Sequence, residues 1–282
     1  MMELLGQYIR SKNGVKLFSR LWKPHDKPWA IICLLHGLGE HSGRYEKWAE
    51  LFTQQGIAFF AIDLRGHGKS YGKRGHISSY KKLFFDIDMF LAESEHLFPG
   101  IPKILYGHSL GGNLALNYYF GKNNQISGLI ISSPWLQLSS SPSNLKLIGR
   151  KLIKIIYPSF TVKNGINPKD ISRDSDVVES YKTNKLVHNK ISVKLYFNAA
   201  KFGKEVIGKS YLINIPLLVM HGTEDKITSF KATSVFARNT GAFTTFKLWE
   251  GCFHELHNEL NNQEIFNYII DWLKTNFQTT NR

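Results

Sequence analysis

The sequence predicts an α/β protein: a mostly parallel central sheet flanked by helices, with an inserted cap. The short continuous apolar run 30–35 has the composition of a strand buried on both faces, and 57–64 reads as another buried strand. They alternate with stretches of helical periodicity, of which 79–98 is the clearest, carrying Leu83, Phe84, Ile87, Phe90 and Leu91 on one side. The alternation lapses once, over 135–212, and then resumes.

Taken in order, residues 15–22 read as an edge strand, 30–35 as a buried strand, 45–55 as a short helix and 57–64 as a second buried strand. Helix 79–98, strand 103–107, helix 110–120 and strand 128–132 follow. After the lapse come strand 216–220, helix 229–240, strand 244–249 and a closing helix over about 261–277, with Ile265, Phe266, Ile269, Trp272 and Leu273 on one face. Repeated strand–helix–strand units imply parallel strands with helices on both faces. Segment 135–212 is rich in Ser, Lys and Asn and too long for a plain loop, so it is expected to form a small lid. The predicted organisation is a core of 1–134 and 213–282 with a cap of 135–212.

Composition narrows the class. With 43% apolar and 21% charged residues, the chain is globular, neither disordered nor collagen-like. Two cysteines in 282 residues exclude a disulfide framework and a cysteine-based zinc site, and fit a reducing compartment. Residues 1–10 lack the apolar core of a secretory signal, and no run reaches the roughly 18–20 apolar residues that span a bilayer. The expectation is a cytoplasmic protein, soluble or peripheral to a membrane. The net charge of +14 admits nucleic acid, an anionic membrane surface or simple solubility as explanations. No nucleic-acid-binding motif is present, so nucleic acid is not expected as a partner.

The run Gly107-His108-Ser109-Leu110-Gly111-Gly112 decides the chemistry. G-x-S-x-G alone is weak, with on the order of 0.1 chance matches in a chain this long. Between a strand and a helix it is the setting of a nucleophile elbow. The abrupt turn strains the backbone of Ser109. Glycines at 107 and 111 remove the clashes that side chains would cause, and Gly112 lets the helix pack closely on the sheet. The hydroxyl then projects at a helix N-terminus, where negative charge is favoured.

A serine needs a base, and the base an orienting acid, in the order Ser, acid, His for this elbow. Asp225 follows strand 216–220 in the loop His221-Gly222-Thr223-Glu224-Asp225 and is preferred over Glu224. His254 follows strand 244–249 and is preferred over His257, which is expected at the rim. His221 is assigned to loop packing. The oxyanion donors are expected to be the backbone N–H of Leu110 and, from the loop His36-Gly37-Leu38-Gly39, that of Leu38. Asp63-Leu64-Arg65-Gly66-His67-Gly68 lacks phosphate-loop spacing and is read as structural. His36/His41 and His67/His76 lack metal-ligand spacing, so neither metal nor cofactor is predicted. Cys33 is buried and Cys252 is not in a nucleophile's setting.

These residues resemble the α/β-hydrolase superfamily and, more narrowly, its monoacylglycerol lipase and lysophospholipase group. The narrower likeness rests on His36-Gly37-Leu38-Gly39-Glu40-His41-Ser42-Gly43-Arg44-Tyr45, on the elbow, and on Gly251-Cys252-Phe253-His254-Glu255-Leu256-His257. It covers about residues 10–278 and is vaguest in the cap. It implies a Ser109–Asp225–His254 triad, an oxyanion hole from Leu38 and Leu110, and a polar cluster of Glu40, Arg44 and His257, with Tyr45 adjacent, for the substrate head group. The implied substrate is a single-chain lipid ester, foremost a monoacylglycerol. The alternatives are a lysophospholipase, a general carboxylesterase or peptidase of the same fold, and a membrane-binding protein without catalysis. The cap carries 14 basic against 5 acidic residues, which opposes a peptidase that must hold a free amine. It also contains an expected helix over 145–157, with Leu145, Ile148, Leu152, Ile155 and Ile156 near one face and Lys146, Arg150 and Lys154 on another, suited to an anionic membrane surface.

Overall fold

The computed structural model describes residues 3–10, 14–121, 126–140 and 153–278. Eight strands form one sheet in the order β1-β2-β4-β3-β5-β6-β9-β10. They are β1 Glu3–Arg10, β2 Lys16–Lys23, β3 Ala30–Leu35, β4 Ile57–Ile62, β5 Lys103–His108, β6 Gly128–Ser132, β9 Leu217–Gly222 and β10 Thr244–Trp249. From β4 to β10 neighbouring strands pair in parallel, whereas β1 with β2 and β2 with β4 are antiparallel. Strand β1 corrects the expectation that 15–22 lies at the edge: β1 covers it, in register Glu3↔Lys23 to Arg10↔Lys16. Its residues Leu5 and Tyr8 are exposed, so it lacks the continuous apolar run that announces an inner strand.

Alternating side chains feed two layers. In β3, Ile31, Cys33 and Leu35 join one cluster, and Ala30, Ile32 and Leu34 join the other. The first cluster takes up helices α2 Tyr80–Leu97 and α3 Leu110–Gly121, through Leu83, Ile87, Phe90 and Leu114. The second takes up α1 Glu46–Gln54, through Trp48 and Phe52, and the C-terminal helix Asn262–Phe277, through Ile265, Phe266, Ile269 and Trp272. Burial on both faces is why the inner strands read as unbroken apolar runs.

Between β6 and β9 the described residues form a two-stranded antiparallel sheet, β7 Thr161–Lys163 with β8 Lys190–Ser192, and helices α4 Ser175–Thr183 and α5 Val193–Lys209. Helix α5 packs on α3 and on α6 Phe230–Arg238. Asn113 on α3 locks it there, its Nδ2 donating to the carbonyls of Trp135 at 2.7 Å and Ala199 at 3.0 Å. The closing helix completes the set as α7. Most of the expected helix over 145–157 lies outside the described residues.

Glycine requirements follow from these contacts. A Cβ on Gly111 would fall inside the carbonyls of Leu35 and His36, whereas one on Gly208 of α5 would meet nothing. Gly111→Ala is therefore expected to lose about 3 kcal/mol or more, the upper end of overpacking costs. Gly208→Ala is expected to gain about 0.5–1 kcal/mol from helix propensity. Urea unfolding of the two variants checks both signs.

Candidate active site

Ser109 stands between the last residue of β5 and the first of α3, with φ +54. An L-residue reaches that region only under constraint. The constraint is visible: Ser109 N–H donates to Ser132 O at 3.0 Å, and Ser109 O accepts from Asn113 N at 3.1 Å and Trp135 N at 2.9 Å. A Cβ at Gly107 would collide with the backbone of Gly111, and one at Gly112 would press on Pro134. The small residues around Ser109 are thus conditions for α3 to approach the sheet.

Asp225 and His254 follow the carboxyl ends of adjacent parallel strands β9 and β10. His254 Nδ1 lies 2.7 Å from Asp225 Oδ2. The carboxylate is otherwise saturated. Its Oδ1 accepts from Ile227 N at 2.7 Å and Thr228 N at 3.0 Å, and its Oδ2 also meets Thr228 Oγ1 and His221 Nε2, each at 2.9 Å. Burial would raise the Asp225 pKa, but the two histidines hold it well below the usual carboxylate range. Burial would lower that of His254, but the Asp225 charge and hydrogen bond, with Glu255 and Glu40 behind, leave it raised. With Nδ1 donating to Asp225, the proton sits there and Nε2 keeps its lone pair.

Leu38 and Ser109 line one cavity of about 230 Å³, together with Trp135, Leu138, Tyr196 and Thr228. No acceptor for the Leu38 N–H is found among the described residues, while the neighbouring Gly37 N–H is taken by Glu40 Oε1 at 2.6 Å. Leu110 opens α3, where the first N–H groups have no intrahelical acceptor.

Glu40, Arg44, Tyr45 and His257 come together, but as a buried network. Arg44 makes a bidentate pair with Glu255 at 2.6 Å for both contacts and reaches Glu40 at 2.8 Å. Tyr45 donates to Glu40 at 3.0 Å. Burial pushes Glu40 up despite Arg44; for Glu255, burial acts likewise but the two-point contact prevails and pulls it to about 2. His257 departs from its expected place at the rim. It is 3% exposed, stacked on Tyr45 at 4.3 Å, and burial drives its pKa down to about 3. His108 bridges the two groups, its ring 4.7 Å from His254 and 5.2 Å from His257. Glu40, Arg44, Tyr45 and His257 do not line the Ser109 cavity; Arg44 and His257 line a separate cleft beside α1 and α4.

Sequence reasoning passed over Glu255 and Thr228 and gave His221 only a packing role. Glu255 contacts Arg44, 211 positions away, which no local spacing announces; Thr228 and His221 lie three and four positions from Asp225, a nearness in sequence that was the available signal. Asp63 acts as read, structurally, accepting from Ser42 N at 2.7 Å and Lys69 N at 2.8 Å. Among the described residues no group of three or more His, Cys, Asp or Glu is placed to hold a metal ion. Arg44→Met would leave Glu40 and Glu255 buried together without their cation. A loss of about 3–5 kcal/mol is expected in denaturant unfolding at neutral pH.

The family model described as serine aminopeptidase, S33, matches residues 26–261. An uncharacterized abhydrolase domain-containing protein of Dictyostelium discoideum is 41% identical over 258 residues, covering 90% of this chain and 27% of that protein. The chain thus spans about a quarter of that relative. A monoglyceride lipase homolog of Monkeypox virus is 30% identical over 260 residues, covering 91% of this chain and 94% of that one. Among solved structures, the monoacylglycerol lipase of Paleococcus ferrophilus superposes with a TM-score of 0.84 at 32% identity, covering 92% of this chain and 99% of that one. With the match extending over most of its length, and a fold and strand order to accompany it, the chain belongs to the serine aminopeptidase S33 family of α/β hydrolases.

Proposed function

We propose that the protein is a serine hydrolase of single-chain lipid esters, foremost monoacylglycerols, with Ser109 as nucleophile, His254 as base and Asp225 as its orienting acid. The observation that carries this reading is the 2.7 Å contact of His254 with a saturated, buried Asp225, after the paired strands β9 and β10, with β6 alone between β9 and the strand that ends at a strained Ser109. Ser109 attacks the ester carbonyl while His254 Nε2 takes its proton. The N–H groups of Leu38 and Leu110 receive the oxyanion, each donor being worth about 3 kcal/mol. The imidazolium passes the proton to the departing glycerol oxygen, and water activated by His254 then releases the fatty acid.

The substrate class rests on the cavity and the relatives. Trp135, Leu138 and Tyr196 form a wall shared by the Ser109 cavity and an adjoining groove of about 470 Å³ that includes Phe197 and Ala200. That shared apolar wall suits an acyl chain, while Lys163, Asn164, Asp170 and Lys226 bring polar groups to the rest of the Ser109 cavity. Relatives named monoglyceride lipase from mammals, such as the human one at 28% identity over 275 residues, support the same reading. A phospholipase of Bacillus subtilis, 29% identical over 248 residues, keeps lysophospholipids as the second reading.

Neither ring nitrogen of His257 has a partner among the described residues, yet His257 lies outside the Ser109 cavity, and its tie to the site runs through His108, whose ring is 5.2 Å from it and 4.7 Å from His254. Glu40, Arg44 and Tyr45 hold the wall around His257. Segment 135–212 acts as the lid. Of the expected lipid-docking helix over 145–157, residues 153–157 are described; Ile155 is 80% and Ile156 85% exposed, which supports contact with an anionic membrane surface. No helix among the described residues is long and apolar enough to cross a membrane.

The deciding experiment is a panel of monoacylglycerols, lysophospholipids, triacylglycerols and short aryl esters. Ser109→Ala is expected to abolish fluorophosphonate labelling and to lower turnover by roughly 10⁴-fold or more. Retained turnover would reject Ser109. His257→Ala separates a head-group role from a structural one: a larger loss on monoacylglycerols than on aryl esters, whose leaving group needs no polar cradle, supports the former, and equal losses on both support the latter. Because His254 must be neutral to act and its pKa is raised, kcat/KM should fall on acidification at a pH above that of a free imidazole. Sedimentation with anionic vesicles tests docking: binding should weaken with salt and in the triple variant Lys146→Glu/Arg150→Glu/Lys154→Glu.

A further inference from the structure

We propose that His221 is a positioning residue for the hydrolytic reaction: its Nε2–H, uncharged, pins the Asp225 oxygen that orients His254. The inference rests on the Ser109–Asp225–His254 reading above and adds a residue to it.

His221 is wholly buried on β9, four residues before Asp225, and touches no substrate-lined surface. Its Nε2 lies 2.9 Å from Asp225 Oδ2, the same oxygen that meets His254 Nδ1 at 2.7 Å. The two oxygens of Asp225 are held differently. Backbone N–H groups of the following turn fix Oδ1, whereas only side chains reach Oδ2. One of these, Thr228 Oγ1, has a single proton and two acceptors at nearly equal range, Asp225 Oδ2 at 2.9 Å and Ser133 O at 3.0 Å. Its hold on Oδ2 is divided. His221 therefore supplies the fixed donor that keeps Oδ2 facing His254.

The tautomer follows from the partners. Nε2 faces two acceptors, Asp225 Oδ2 and, at 3.2 Å, Thr228 O, so it carries a proton. Nδ1 lies 2.9 Å from Thr233 Oγ1, whose other acceptor, Ser229 O, is at 3.4 Å. The shorter contact takes the hydroxyl proton, so Nδ1 accepts and the ring is neutral. Neutrality matters. A second imidazolium on Oδ2 would offset the charge that stabilises the His254 imidazolium, whereas a neutral donor orients the carboxylate and leaves its charge in place.

Other groups facing His254 are Asp225 itself, Glu255 beside it, Glu40 from the loop after β3, His108 at the end of β5 and His257 beyond Glu255. None of them contacts His221 in the hydrogen-bond network, apart from Asp225. Removing the His221 donor should therefore act through Asp225 alone. Its negative charge becomes less satisfied, the His254 imidazolium gains stability, and the acidic limb of kcat/KM moves to higher pH. The carboxylate also gains freedom to turn, which lowers kcat.

The test compares wild type, His221→Leu, His221→Gln and Ser109→Ala on an aryl ester and a monoacylglycerol across pH. His221→Leu is expected to lower kcat by about tenfold, the scale of a misoriented catalytic group, with KM little changed. Its acidic limb should move upward, and His221→Gln, which keeps an amide donor, should recover most of kcat and the wild-type limb. An unmoved limb in His221→Leu, or no recovery by Gln in a folded protein, would mean a packing role and overturn the inference. If His221→Leu does not fold, heteronuclear NMR of the histidine side-chain nitrogens in the wild-type protein decides. A neutral Nε2–H tautomer of His221 through the active pH range supports the inference; an Nδ1–H tautomer or an imidazolium rejects it. Ser109→Ala separates the two levels. Turnover surviving in that variant defeats the triad reading, whereas a dead Ser109→Ala beside a fully active His221→Leu defeats only the present one.

Discussion

The close approach of helix α3 to the carboxyl ends of β3 and β5 is the constraint on which the rest of the molecule depends. Side chains at 107 or 111 would overlap backbone, and the strain at Ser109, φ +54, is held by three backbone hydrogen bonds. A strained residue persists only where its surroundings overdetermine it. Here the same bonds that hold Ser109 also draw in Ser132 at the end of β6 and Trp135 at the start of the following segment. The elbow thus sets where the chain leaves the sheet after β6, as well as where Ser109 stands.

Three buried carboxylates surround this elbow, and each is treated differently. Asp225 is stabilised by five donors, two of them backbone N–H groups. Glu255 takes both prongs of the Arg44 guanidinium, and Glu40 takes the remaining reach of one nitrogen together with Gly37 N and Tyr45 Oη. A carboxylate taken from water is tolerable only with such compensation. The network also sets the loop that carries Leu38, because Glu40 occupies the Gly37 N–H beside it, and Leu38 lines the cavity. Electrostatics and backbone placement are therefore one arrangement.

The segment between β6 and β9 is tied to the core from two sides. On one, Asn113 holds Trp135 and Ala199, and Tyr80 stacks on Phe202 at 4.2 Å. On the other, the stretch around β8 returns to the core loops: His188 N donates to Gly39 O at 2.8 Å, Ser192 N to Gly75 O at 2.7 Å, and His76 Nδ1 meets Ser192 Oγ at 3.0 Å. A Cβ at Gly39 or Gly75 would strike the backbone of His188 or Lys190. These glycines, like those of the elbow, mark close backbone approach.

The sequence by itself determined the layered α/β core, because a strand buried on both faces must be apolar throughout and a helix packed on one face must repeat its apolar residues every three or four positions. It also marked the elbow and the loops after β9 and β10, since turns at the carboxyl ends of parallel strands leave local signatures of glycine, acid and histidine. Other features were set only by contacts between distant segments. The edge strand β1 escaped because it is half exposed. Glu255 could not be recognised as the second anchor of Arg44, 211 positions away in sequence. His257, read as a rim residue one turn beyond His254, is instead drawn under Tyr45. His221 and Thr228 are near Asp225 in sequence, four and three positions away, but their meeting with His254 on one oxygen joins the turn after β9 to the loop after β10. Periodicity and turn chemistry are local and survive in the linear order of residues; the pairing of buried charges depends on where the backbone brings them, and the tertiary structure alone decides that.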